Sequence, residues 1–159
     1  MDFKKAMQLL VPLLLCTAML TGCAFPFAIK AKSPILSGYA AKEEHFDPDG
    51  FQDYVDYCKY VYKPEFDGFD RDRRYLPADE VDVDYLKGYF ENFSQWMESE
   101  HRLAEYDFDI ACINEGDPFI IESKPYYNEF DGTTDDYADY TVYLFDKETA
   151  TLYYIHANI

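Results

Sequence analysis

A chain of 159 residues has room for one domain and a short appendage, and its 19% aromatic content, with 16 Tyr and 13 Phe, excludes wholesale disorder. Its 31 acidic against 14 basic side chains give a formal net charge of -17. That sign opposes the phosphate contacts that supply most nucleic-acid affinity, so nucleic acid is set aside as a partner.

Lys4 and Lys5 form a small basic region, and Ala6 to Leu20 follow as an apolar run broken only by Gln8, Pro12 and Thr17. That is the pattern of a signal peptide. A spanning helix needs about 20 apolar residues, and this run falls short of it. It ends in Leu20-Thr21-Gly22-Cys23, which resembles the lipobox of bacterial lipoprotein precursors at each of its four positions. The resemblance implies that residues 1–22 are removed and that Cys23 carries a diacylglyceryl group outside the cytoplasm. The membrane is then a partner through the lipid on Cys23. The chemistry suits the residue, because a thiolate is the common side-chain nucleophile that ends as a stable thioether. Two acyl chains give the stable anchoring that one does not.

Residues 23–48 read as the lipidated N-terminus and a tether. Pro26, Pro34, Gly38 and Pro48 punctuate them, Lys30 and Lys32 lie nearest the lipid, and no periodicity persists beyond a fragment near Ile35 to Tyr39. Loss of Asp2, Lys4 and Lys5 with the leader makes the remainder more acidic still. An anionic membrane repels such a domain over a Debye length of about 8 Å, so a spacer is expected.

Residues 49–159 read as the folded domain. From Asp49 as N-cap, Phe51, Tyr54, Val55, Cys58, Val61 and Tyr62 fall at helical spacing and predict a first helix that ends before Pro64. A second helix opens at Asp79 or Asp82 and runs to about Leu103, with Leu86, Phe90, Phe93 and Met97 on one face and Tyr89 and Trp96 beside them. Gly88 weakens it slightly. Beyond Tyr106 the period becomes 2: Phe108, Ile110 and Cys112 predict a strand, Asn114 to Asp117 a turn, and Phe119 to Lys124 a second strand. A polar loop over 126–137 leads to strands at Tyr140–Phe145 and Leu152–Ala157, joined by an Asp146-Lys147-Glu148-Thr149 turn.

The expected fold class is therefore α+β, with two helices packed on one face of a four-strand antiparallel meander. The element order is similar to that of the cystatin-like and nuclear-transport-factor-like families. Residues 146–156 resemble the terminal hairpin of many small lipoproteins. Neither likeness brings an activity, since such folds host enzymes and binding modules alike.

Cys58 and Cys112 both fall on inward faces. A disulfide between them is permitted outside the cell and would contribute about 4 kcal/mol in the chain-entropy model; the alternative is two buried free thiols. His45, His101 and His156 have no partner motif, and GxSxG, HExxH and P-loop patterns are absent from the sequence, so no catalytic residue is named. Asp47 to Gly50, Asp67 to Asp72 and the loop with Glu129, Asp131, Asp135 and Asp136 offer oxygen ligands without EF-hand spacing, so neither a metal nor a cofactor is expected. The last hairpin carries large residues on both faces, more than two helices on one side can cover. Tyr143, Tyr154 and His156 on the uncovered face are the expected ligand-binding residues, for an unidentified protein or small molecule. The function read from this is a lipid-anchored extracytoplasmic binding module, with a small hydrolase-like surface enzyme as the alternative.

Overall fold

The computed structural model describes residues 33–47, 54–127, 130 and 132–158. The leader, Cys23 and the first part of the expected tether lie outside the described residues. So do Asp49 and Phe51, where the first predicted helix was to begin.

The architecture is α+β, built on a six-strand antiparallel sheet in the order β1-β2-β8-β7-β4-β3. The strands are β1 (Ala41–His45), β2 (Tyr54–Val61), β3 (Leu76–Pro77), β4 (Pro118–Ser123), β7 (Asp139–Asp146) and β8 (Thr151–Asn158). A separate two-strand ribbon pairs β5 (Tyr126–Tyr127) with β6 (Thr134–Asp135) inside the expected polar loop. A one-turn helix, α1 (Gly68–Arg71), and one long helix, α2 (Glu80–Ser99), complete the regular structure of the described residues with two short 3-10 turns.

Three expectations are corrected. The segment from Tyr54 to Val61 is strand β2, not a helix. It pairs with β1 on one side and β8 on the other. Val55 and Tyr57 face one layer while Cys58 and Tyr60 face the other, and all four are buried. A strand covered on both faces shows no clean alternation, so its apolar residues imitated helical spacing. Ile110–Cys112 is a 3-10 turn instead of a strand. The Asp109 carboxylate accepts a bond from the Ala111 N–H, offering the backbone a local alternative to extension. Phe108 stacks on Phe90 of α2 at 4.0 Å, so the segment crosses the helix and adds nothing to the sheet.

The third correction concerns residues 33–47, which belong to the fold. Ala41–His45 pairs with β2 along its length, Leu36 is buried, and the Tyr62 hydroxyl donates to the Leu36 carbonyl at 2.6 Å. The Tyr75 hydroxyl donates to the carbonyl of Pro34. The sheet therefore has six strands in place of the expected four-strand meander, and its second face is covered by this segment together with Phe69 of α1.

The helix predicted over residues 79–103 forms as α2, shorter at its C-terminus. Asp79 caps it: its carboxylate accepts from Val81 and Asp82 N–H while the Asp82 side chain accepts from the Asp79 N–H, a reciprocal capping box. Leu86, Tyr89, Phe90, Phe93 and Met97 are buried against Val55, Tyr57, Tyr140, Val142, Leu144 and Ile155 of the sheet. Gly88 has a packing reason: a Cβ there would lie 2.8 Å from the Tyr137 hydroxyl.

The C-terminus of α2 closes in a Schellman arrangement. Arg102 N–H donates to the Met97 carbonyl and His101 N–H to that of Glu98, with His101 itself at φ 58. A Cβ in that left-handed conformation costs about 1–2 kcal/mol, part of which glycine returns as unfolded-chain entropy. His101→Gly is expected to raise stability by about 0.5–1 kcal/mol, read as a higher thermal midpoint.

Candidate functional site

The hairpin register decides which side chains share a face. Residues directly opposite in an antiparallel pair point to the same side, so the pairs Asp56↔His156, Thr141↔His156 and Glu122↔Thr141 set Asp56, His156, Thr141 and Glu122 in one row across four strands. This row crosses the sheet face opposite α2. The next row inward contains Cys58, Tyr154, Tyr143 and Ile120.

Of the three expected ligand-binding residues, the structure brings all together but opens only part of the set. Tyr143 and Tyr154 face each other with ring centroids 5.2 Å apart, and the Tyr154 hydroxyl lies 3.4 Å from His156 Nδ1. Tyr143 is only 9% exposed, in the cluster that contains Tyr75, Phe145 and Leu152. Burial pushes its phenol up to about 12. The contiguous open Tyr143 and Tyr154 surface expected from the sequence is thus corrected: Leu36, α1 and Tyr75 cover that end.

What remains open is the other end of the same face. Tyr54, Glu122, Ser123, Lys124, Asp139, Thr141, His156 and Asn158 line a cleft of about 340 Å³ there. His156 is half-buried within it. Its Nε2 lies 3.4 Å from the Tyr54 hydroxyl and 3.9 Å from Asp139, and its Nδ1 lies 3.9 Å from Asp56. The Tyr54 ring meets the imidazole edge-on at 4.9 Å. Lys124 sits on Asp139 at 3.0 Å, so one carboxylate of the cleft already has a cation.

Burial outweighs the two carboxylates and holds the imidazole of His156 below its ordinary range, an effect that Lys124 reinforces. A histidine depressed on folding binds its proton more readily in the unfolded chain, so it stabilises the fold above pH 6.5 and that contribution fades as pH falls through and below this value. Asp56, Tyr54, Tyr154, Asp139, Thr141, Glu122 and Lys124 are the groups that face it, and none is replaced in the test. In His156→Gln, the decline of the thermal midpoint between pH 7 and pH 5 is expected to be shallower than in the parent chain.

The other candidate groups are placed elsewhere. Cys58 and Cys112 are free thiols, not a bridge. Cys58 packs on the face with Leu36 and Tyr62, while burial and the carboxylates of Asp146, Asp117 and Asp109 act on Cys112 beside its 3-10 turn. Burial pushes Cys58 up to about 11 and Cys112 up to about 12, which leaves both thiols protonated and unreactive at neutral pH. His45 holds Glu43 at 2.8 Å on the β1 edge, and His101 is the left-handed helix cap described above. Among the described residues, no group of three or more His, Cys, Asp and Glu side chains is arranged to hold a metal ion, and no helix is long and apolar enough to cross a membrane.

Comparison with protein families, curated proteins and solved structures finds no match to this chain. The cleft therefore stands on its own geometry. Tyr54, Asp56, Glu122, Lys124, Asp139, Thr141 and Asn158 were missed in the sequence. Thr141 was within reach, because the Asp146 to Thr149 turn fixes it opposite His156. Tyr54 and Asp56 were hidden once their segment was read as helical.

Proposed function

We propose that this chain is a lipid-anchored extracytoplasmic binding module in which Cys23 bears the anchor and the cleft around His156 receives a small polar ligand. The cleft carries the reading. It is concave, lies on the face that α2 leaves free, and combines the Tyr54 ring with hydroxyl, amide, carboxylate and ammonium groups and a neutral imidazole. That mixture suits a hydrogen-bonding ligand with one apolar side. The anchor rests on the lipobox resemblance of Leu20-Thr21-Gly22-Cys23. The spacer is then the stretch between Cys23 and Ser33, which at full extension reaches about 30 Å, well beyond the Debye length of about 8 Å over which an anionic membrane repels this domain.

A hydrolase-like reading draws on one observation, the approach of the neutral His156 to the Tyr54 hydroxyl and to Asp56 and Asp139. What it lacks, among the described residues, is a Ser, Thr or Cys nucleophile bonded to that imidazole.

Two measurements test the proposal. Metabolic labelling with an alkyne fatty acid in a bacterial host should mark the parent chain and not Cys23→Ala; undiminished label on the variant removes the anchor. Amide NMR shifts during titration with a panel of monosaccharides, amino acids and polyamines should cluster at Tyr54, Thr141 and His156 for at least one class. Shifts confined to other surfaces, or turnover of the added compound, would displace the binding reading.

A further inference from the structure

The two edges of the main sheet are treated differently. The outer strand β1 reads Ala41-Lys42-Glu43-Glu44-His45, four polar side chains in five, tied together by the Lys42–Glu44 and His45–Glu43 pairs. Charged edges of this kind block pairing with another chain. At the opposite edge, β3 pairs with only Phe119 and Pro118 of β4, through Leu76 and Pro77. Among the described residues no strand pairs with Ile120 to Ser123 on that side.

The backbone phase there follows from one bond. The Lys124 N–H donates to the Asp139 carbonyl at 2.7 Å. In an antiparallel ladder the bonded residues alternate, so Ile120 and Glu122 also turn their N–H and C=O toward β7, whereas Phe119, Ile121 and Ser123 turn theirs outward. Phe119 meets Leu76 of β3 on that side, in keeping with this phase. Ile121 and Ser123 thus present donor and acceptor pairs along an open edge.

Beside this edge lies a groove of about 370 Å³ lined by Leu76, Tyr85, Phe119, Ile120 and Ile121 together with Arg74, Asp82 and Ser123. Leu76 is 60% and Tyr85 46% exposed, and Val81 in the first turn of α2 is 76% exposed. The charges that flank the edge are acidic in sum. Asp72 grips the Arg74 guanidinium through two bonds and Asp139 pairs with Lys124 at 3.0 Å, so both cations are matched, while Asp82 and Glu122 bring two further carboxylates. The chain as a whole carries -17.

We infer that the β4 edge receives an extended segment of another protein, added as a seventh strand, in which apolar residues alternate with basic ones. The open backbone groups ask for an extended chain, and the apolar groove takes its alternate side chains. The charge selects Lys or Arg for the remainder. A second copy of this chain is disfavoured, because it would set -17 against -17.

The probe is a synthetic eight-residue peptide of alternating Lys and Val, with Glu-Val and proline-interrupted Lys-Val peptides beside it. The Lys-Val peptide should bind the full chain and slow hydrogen exchange at the Ile121 and Ser123 amides specifically. The other two should bind at least about tenfold more weakly. Ser123→Pro removes an outward N–H and leaves the β7 ladder intact, and Ile121→Lys copies the guard found on β1. Each should weaken the Lys-Val peptide by about tenfold or more at an unchanged circular dichroism spectrum. Absence of binding, equal binding to both variants, or protection away from residues 120–124 overturns the inference. Self-association through this edge, seen by sedimentation and lost in Ile121→Lys, overturns it in favour of a second copy.

Discussion

Phe93→Ala is expected to lower the free energy of unfolding by about 3–5 kcal/mol. Phe93 is fully buried on the inner face of α2, in the layer that joins the helix to β2, β7 and β8, and its ring lies 5.4 Å from that of Tyr106. Deleting it removes the contacts of both partners and leaves a cavity that a sheet and a capped helix cannot collapse to fill. Single domains of this size hold only about 5–15 kcal/mol, so the loss is a large share of the whole. The single tryptophan, Trp96, packs against the same cluster, so its fluorescence in a urea titration reports the docking of α2 directly. A loss below about 1 kcal/mol would mean that the helix does not rest on the sheet as described.

A chain shortened to begin at residue 49, the boundary read from the sequence, is expected to lose its cooperative unfolding transition. A chain that begins at Ser33 should keep it. The shorter form lacks β1 and with it the pairing from Ala41↔Val61 to His45↔Tyr57. It also lacks Leu36, whose burial alone is worth about 2–5 kcal/mol by the measure of Leu→Ala cavities. Tyr60, Tyr62 and Tyr75 lose the acceptors on Glu44, Leu36 and Pro34. Their rings, packed with Leu36 in the intact chain, are then uncovered to water, and the apolar burial of that face is lost with the bonds. Near-ultraviolet circular dichroism, which reports packed tyrosines, together with thermal melts on both chains, checks this. Equal melting of the two would return residues 33–47 to the role of a tether.

What the sequence made legible follows the strength of each local signal. Helix α2 carried a one-sided apolar stripe and an acidic cap, and both survive in the fold. The final hairpin carried its turn in Asp146, whose fully buried carboxylate accepts from Glu148 N–H and the Thr149 hydroxyl. Strand β2 was illegible for the opposite reason. Its apolar residues serve two cores at once, and which layer each enters depends on β1 and β8, distant in the chain. The covering of the second face was hidden likewise, because Leu36 and Phe69, with Ile35 and Phe66 beside them, lie in segments too short to carry a periodicity. The candidate site suffered from both. His156 was singled out by its place on the last strand, but the cleft belongs to a row of side chains that only the full strand order assembles.

That strand order has a kinetic consequence. β2 lies between β1 and β8, and 102 residues separate Tyr54 from its cleft partner His156. The β1–β2 and β3–β4–β7 pairings need no β8, but the two halves cannot join until β8 has left the ribosome, and until then β2 and β7 each keep one edge unsatisfied. Folding of this kind is dominated by distant contacts and runs slowly for its length. Until that joining, two half-sheets with bare backbone rows stand beside each other, and the nascent chain is open to mispairing for most of its length.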